Sequence, residues 1–341
     1  MKQRNFMLKP VLLLVALVMF FSACDRGNDS NRFEVELIEA KAEMPAKVRL
    51  FFKVDLGEEH LFTSLEPTDF EIFEDGSLIS RLESQAQIQR EEGEFLFSSV
   101  LLLDLSGSVL NSTQLPKVKS AAVSFVESVM PLSGNNLYGS KEMAIYWFDG
   151  EEEIHQLVSF TPDRTELVDG IGSITEDISN DNSTNLNGSV IQGLSVVNAR
   201  LSVTKLNPNI STAGSLVIFT DGTDQAGRVS TSAAQKAVRE AGSDNSIFTI
   251  GLGDEIDEDI LNTFGREGFE LAENSIDLNA SFLSVAQKVE SESNSFYVLE
   301  YCTPKRSGSH TIELRAMYDN RFGSFTTKFT ADGFIGGCSV D

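Results

Sequence analysis

Between residues 94 and 293 the sequence alternates between strand-length apolar runs and stretches with helical apolar spacing. That alternation restricts the chain to few folds. A strand apolar on both sides must be covered on both faces, and helices placed between successive strands supply that cover for a parallel sheet. Residues 95–103 read as such a strand. A helix follows over 115–130, with Leu115, Val118, Ala122, Phe125, Val126 and Val129 on one face. Further strands are expected at 143–148, 216–220, 247–251 and 269–271, with 152–160 as an antiparallel edge. The intervening helices are expected near 163–171, 186–203, 230–241 and 257–264, and a last one over 277–289 closes the series. The expectation is an α/β fold, a doubly wound and mainly parallel sheet.

The flanks carry a different period. Phe33, Val35 and Leu37 alternate with polar residues, as do Val48, Leu50, Phe52 and Val54, which is the two-residue repeat of half-buried strands. The stretch from Asp69 to Gly76 reads as a strand entering an Asp-Gly turn, with Leu78 and Ile79 opening the next strand. At the other end, 296–301 and 311–318 read as strands, and Asp319-Asn320 turns the chain into 325–329. A hairpin alone is marginal in water. The C-terminal strands, 294–341, are therefore expected to pack on the N-terminal β domain, 33–94, with the α/β domain, 95–293, inserted between. The stretch 65–76 resembles the β-sandwich module that precedes the central domain in many exported bacterial proteins.

The 341 residues carry 27 Lys and Arg against 51 Asp and Glu, a formal charge of −24. Such a surface repels phosphate backbones, so nucleic acid is excluded as a partner class. The start of the chain reads as a targeting signal. Lys2, Arg4 and Lys9 precede an apolar run from Val11 to Ala23, too short to span a bilayer comfortably and shaped like a signal-peptide core. It ends in Phe21-Ser22-Ala23-Cys24, which resembles the bacterial lipobox, with Phe21 where an aliphatic residue is usual. That resemblance implies removal of residues 1–23, a lipid on Cys24, a tether over 24–32, and anchoring to a bacterial membrane, inner or outer. The alternative is an ordinary secretory signal cleaved nearby. Both export the chain, and in an oxidising compartment Cys302 and Cys338 make an even pair, either a disulfide or two buried thiols.

In a doubly wound sheet, ligands sit beyond the carboxyl ends of the strands where the strand order reverses. Three elements there carry oxygen donors. The first strand ends in Asp104-Leu-Ser106-Gly-Ser108, whose two-residue spacing lets one extended turn aim a carboxylate and two hydroxyls at one point. Thr184 stands at the start of the helix over 186–203, and the strand at 216–220 runs into Thr220-Asp221-Gly222. Hard oxygen donors without His or Cys suit Mg²⁺, with Mn²⁺ or Ca²⁺ as alternatives.

In that order, the D-x-S-x-S strand end, the later Thr and the later T-D-G resemble the metal-ion-dependent adhesion site of von Willebrand factor type A (vWA) domains. The late strand Thr249-Ile-Gly-Leu-Gly253 with its acidic turn looks like this family too. The resemblance implies that Asp104, Ser106, Ser108, Thr184 and Asp221 hold the ion and that an Asp or Glu carboxylate of a protein partner completes its coordination. The loops near Asn111, Asn185 and Asp224 would frame that partner. A departure from the family pattern is the polar insertion 179–183, where a Gly is common.

Plainer readings stand beside these. Ser and Asp pairs often cap helices, the acidic run from Asp254 to Asp259 reads as a charge cluster at a helix start, and Glu151 to Glu153 as a solvated turn. Trp147 and Phe148 read as core. Signatures of catalysis fail: H-E-x-x-H and G-x-S-x-G do not occur. The glycine pair in 134–141 lacks the leading strand of a phosphate loop, and His60, His155 and His310 lie far in sequence from any nucleophile. Ser106 has no visible base. The expectation is a non-catalytic, envelope-anchored lipoprotein that binds a partner, in adhesion or envelope-complex assembly, through a metal-bridged carboxylate. The alternatives are a structural envelope protein with a purely stabilising ion and, more remotely, a metal-assisted hydrolase.

Overall fold

The computed structural model describes residues 32–57, 65–80, 86–89 and 95–340. The signal segment 1–23, Cys24, the tether up to Asn31 and His60 lie outside the described residues.

Six strands form the central sheet: β6 (Phe95–Asp104), β7 (Lys141–Phe148), β8 (His155–Thr161), β9 (Ser211–Thr220), β10 (Asn245–Leu252) and β11 (Gly268–Ala272), in the order β11-β10-β9-β6-β7-β8. All neighbours are parallel except β7 and β8, so the antiparallel edge stands where the sequence puts it. The chain builds outward from β6 on one side, then returns to its other side at β9. The reversal therefore falls between β6 and β9, and their carboxyl ends, Asp104 and Asp221, meet there.

Alternate residues of β6 face opposite layers. Leu101 and Leu103 pack under helices α2 (Leu115–Val129), α3 (Arg164–Gly172) and α7 (Leu278–Ser293). Val100 and Leu102 pack under α4 (Leu186–Thr204), α5 (Thr231–Glu240) and α6 (Glu258–Phe264). Strand β9 begins at Ser211, five residues before its apolar run. The polar start is buried because partners are in place: Thr212 Oγ1 donates to the Leu96 carbonyl at 2.8 Å, and Ser215 Oγ bonds Ser99 Oγ at 2.9 Å.

The remaining strands form two antiparallel sheets. One is ordered β1-β2-β12-β5, from β1 (Glu34–Glu43), β2 (Lys47–Asp55), β12 (Phe296–Cys302) and β5 (Gln87–Gln89). The other is ordered β14-β13-β3-β4, from β14 (Arg321–Thr330), β13 (Ser309–Tyr318), β3 (Phe70–Glu74) and β4 (Ser77–Leu78). Strands from both chain ends interleave in each sheet: β12 pairs with β2 and with β5, and β13 with β3. The turns are tight, with φ of 48° and 79° at Asp75-Gly76 and 46° and 60° at Asp319-Asn320, the backbone that two-residue hairpins need.

Leu50, Phe52 and Val54 face Phe70, Ile72, Ile312 and Leu314 in a shared core. The opposite face of the same sheet is apolar as well. Phe51, Phe296 and Val298 join the core of the α/β unit, with Phe51 and Phe95 each stacked on Phe296 at 5.7 Å. Cys302 and Cys338 are joined by a disulfide that ties the end of β12 to the C-terminal tail.

Candidate metal centre

Strand β6 carries Asp104 into the sheet's carboxyl edge, and the next residues leave the sheet at once. Ser106 is extended, with φ −70° and ψ 175°, and serves as the N-cap residue of a one-turn helix, α1 (Gly107–Leu110). The single extended turn expected from the D-x-S-x-S spacing is thus broken at Gly107. The Leu110 N–H donates to the Ser106 carbonyl, which winds the segment into helix and puts Ser108 in its first turn. Gly107 is required for a close approach: a Cβ there would lie 2.7 Å from Asn182 Cβ, and its N–H donates to the Asn182 carbonyl at 3.1 Å. The polar insertion 179–183 therefore lies directly over the start of α1.

Asp104 is fully buried. Its Oδ1 accepts from the Ser106 N–H at 3.0 Å and its Oδ2 from Thr220 Oγ1 at 2.6 Å. Ser106 Oγ lies 3.2 Å from Ser108 Oγ, and Ser108 Oγ donates to Asp221 Oδ1 at 2.7 Å. Four of the five expected donors are thus joined through one continuous run of polar contacts across the β6–β9 reversal. Thr184 stands beside them. It is buried, its carbonyl accepts from the N–H groups of Gln225 and Ala226, and a Cβ on Gly222 would come within 3.8 Å of its Oγ1.

Two expected rim residues do other work. Asn185 is buried and caps α4, accepting from the Gly188 N–H at 3.2 Å and donating to the Glu151 carbonyl at 2.9 Å. Asp224 accepts from the N–H groups of Asn187 and Gly227, fixing the loop after Asp221. Asn111 is exposed, at the end of α1. The acidic run over 254–259 behaves as a helix start, with Asp257 Oδ1 accepting from the Ile260 N–H.

Burial pushes the Asp104 carboxyl up to about 7, with the charge of Asp221 adding to the effect and the hydrogen bonds from Thr220 and Ser106 opposing it. Burial raises Asp221 also. Among the described residues, neither acid has a Lys or Arg at ion-pair distance. Desolvated carboxylates without a counter-charge are costly, and a divalent cation removes that cost. The donors at hand are all oxygen and include two acids, which suits a hard cation.

A second group of donors went unseen in the sequence. Asp149, Glu151 and His155 offer ligand atoms that all lie within 4.8 Å of one another. The signal was an acid directly after an apolar strand, then an acid and a His across one turn.

Residues 99–223, which span the run from Asp104 to Asp221, match the family model of the von Willebrand factor type A domain. Over those residues the α/β unit has the vWA fold. Similar solved structures include a von Willebrand factor type A protein from Catenulispora acidiphila, at 9% identity, 87% of this chain, 72% of that chain and a TM-score of 0.47. Another is the vWF domain of the type V pili tip protein Mfa5 from Porphyromonas gingivalis, at 14% identity, 57% and 95% coverage and a TM-score of 0.43. A third is proximal thread matrix protein 1 from the mussel byssus, with a zinc-occupied MIDAS motif, at 15% identity, 59% and 49% coverage and a TM-score of 0.45. Among curated proteins, none matches the chain.

Proposed function

We propose that this chain is an exported, non-catalytic binding protein, anchored to a bacterial envelope through Cys24, whose vWA domain captures a protein ligand through a divalent cation. The observation that carries the reading is the connected set Asp104, Ser106, Ser108 and Asp221, with two buried acids and no basic partner among the described residues. Asp104, Ser106, Ser108, Thr184 and Asp221 would hold the ion, Mg²⁺ first and Mn²⁺ or Ca²⁺ as alternatives. When bound, the ion supplies an electrophilic position for an Asp or Glu carboxylate of the ligand. Thr220 holds the Asp104 carboxylate from behind, and Ser108 orients Asp221. Three of the five donors are neutral hydroxyls, so the ion would keep an electrophilic position for an incoming anion. The exposed side chains of Asn111 and Asn182 lie against one another beside the start of α1 and would bear on which ligands approach. Adhesion and assembly of an envelope complex both fit.

The test is a calorimetric titration of the purified protein with Mg²⁺ and Mn²⁺, beside Asp104→Ala, followed by ligand capture with and without EDTA. Saturable binding absent in the variant, with chelator-sensitive capture, is the expected result. Metal binding that only raises the melting temperature, with capture indifferent to EDTA, would move the ion to a purely structural role. Undiminished metal binding by Asp104→Ala would overturn the site.

A further inference from the structure

The turn that leaves β7 holds donors that the set around Asp104 does not use. Asp149 follows Phe148, which is in register with Asp104 on the neighbouring strand. Its side chain is buried. Oδ1 accepts from the Glu151 N–H at 2.8 Å, Oδ2 accepts from Ser179 Oγ, and the backbone carbonyl accepts from the Asn185 N–H. Each carboxylate oxygen has a further lone pair to give. Gly150 lets the turn tuck under the polar insertion, since a Cβ there would sit 1.9 Å from Ser183 Oγ. This brings Glu151 beside Asp149.

His155 arrives from the other strand. It opens β8 in register with Trp147, and its ring stacks on the indole at 4.0 Å with an 18° interplanar angle. The stack fixes the imidazole plane. Its Nε2 is buried and makes no hydrogen bond, although Glu151 Oε2 stands 3.4 Å away. A ring nitrogen without a hydrogen bond, beside a carboxylate oxygen, has a lone pair that a shared cation can take when the ring is neutral. Zinc bonds of about 2.0–2.1 Å at tetrahedral angles put neighbouring ligand atoms about 3.3 Å apart, close to the separation of Nε2 and Oε2.

We propose that Asp149, Glu151 and His155 form a zinc site beside the Asp104 set. One imidazole and two carboxylates are donors that zinc accepts readily, whereas Mg²⁺ prefers an all-oxygen shell and retains its waters. Three protein ligands leave a fourth position for water or for a ligand group. Ser179 steadies Asp149 from outside, as an outer-shell partner does. The site needs nothing from the Asp104 set and stands or falls apart from it.

Trp147 is the chain's single tryptophan, so its emission reports directly on the stacked ring. The experiment is a Zn²⁺ titration of metal-stripped protein in an Asp104→Ala background, read by Trp147 fluorescence and by competition with a chromophoric chelator. The expected result is a saturable emission change at one zinc per chain, with no response to Mg²⁺ at equal concentration. His155→Phe, which keeps a ring on Trp147 but removes the donor, and Glu151→Gln, on an exposed side chain, are each expected to weaken zinc by at least about tenfold. No bound zinc, or equal affinity in His155→Phe, overturns the proposal. Because Asp104 is absent throughout, failure here is distinct from loss of Mg²⁺ binding at the neighbouring set.

Discussion

The two ends of the central sheet treat buried acid in opposite ways. At the amino ends Glu142, Glu290 and Glu292 each have a basic partner. Glu142, at the start of β7, takes Ser98 Oγ at 2.6 Å and is forked by Arg200, with Nη2 to Oε2 at 2.6 Å. Lys141 meets Glu290, and Lys53 of the sandwich reaches across to Glu292. Burial pulls the Lys53 ammonium down, but Glu292 outweighs it and the net shift is upward. At the carboxyl ends Asp104 and Asp221 have hydroxyls and backbone N–H groups instead. The acids where the units join are neutralised within the fold, while those at the reversal point have no basic partner among the described residues.

The largest expected effect lies at the joined end. Phe51 is buried at 3% exposure between Phe95 and Phe296, on the sandwich strand that faces the α/β unit. Phe51→Ala is expected to cost about 3–5 kcal/mol in urea unfolding, as large-to-small changes at buried rings do. Mg²⁺ affinity should stay as in the wild type, since the ring lies at the opposite end of the sheet. A loss under about 1 kcal/mol would show that the two units are held together by something other than this contact, and would blunt the contrast between the ends.

Next comes Glu142→Gln, which leaves the Arg200 guanidinium facing a neutral amide. Removing one partner of a buried pair is more costly than the pair is worth, but Arg200 retains about a third of its side-chain exposure, so solvent screening reduces the loss. The expectation is about 1–3 kcal/mol, equal in EDTA and in Mg²⁺. A metal-dependent loss would mean that the two ends communicate.

The long elements were legible because their signal is continuous. The central strands carry unbroken apolar runs such as Leu101–Leu103, and α2 keeps helical spacing for its whole length. What stayed hidden depends on partners distant in sequence. The first half of β9, Ser211 to Ser215, is small and polar, and it reads as strand only when Leu96 and Ser99 are known to wait opposite. Phe51 lies out of phase with Leu50 and Phe52, and its burial needs a second layer that a two-residue repeat does not announce. In the site, Asp104, Ser106 and Ser108 declare themselves by spacing. The role of Thr220, which donates to Asp104, is visible only once β6 and β9 are side by side. His155 likewise meets Asp149 only through the antiparallel register that sets it on Trp147.

The last effect is the sharpest, because its sign is opposite. Asp104 titrates near 7 in the metal-free native chain, against about 4 when unfolded. Between those values the native state holds a proton that the unfolded state has shed, so metal-free stability falls as pH rises through that window. A neutral amide in that place carries no such pH-dependent penalty. Asp104→Asn in EDTA is therefore expected to match the wild type near pH 4, where the acid is neutral in both states, and to exceed it increasingly as pH rises toward 8. Added Mg²⁺ should reverse the order, stabilising the wild type and leaving the variant unchanged. Chemical unfolding at three pH values, with and without Mg²⁺, reads all of this. If Asp104→Asn in EDTA loses as much as Glu142→Gln, the acid at the reversal point is a structural group like those at the amino ends, and the contrast between the two ends of the sheet fails.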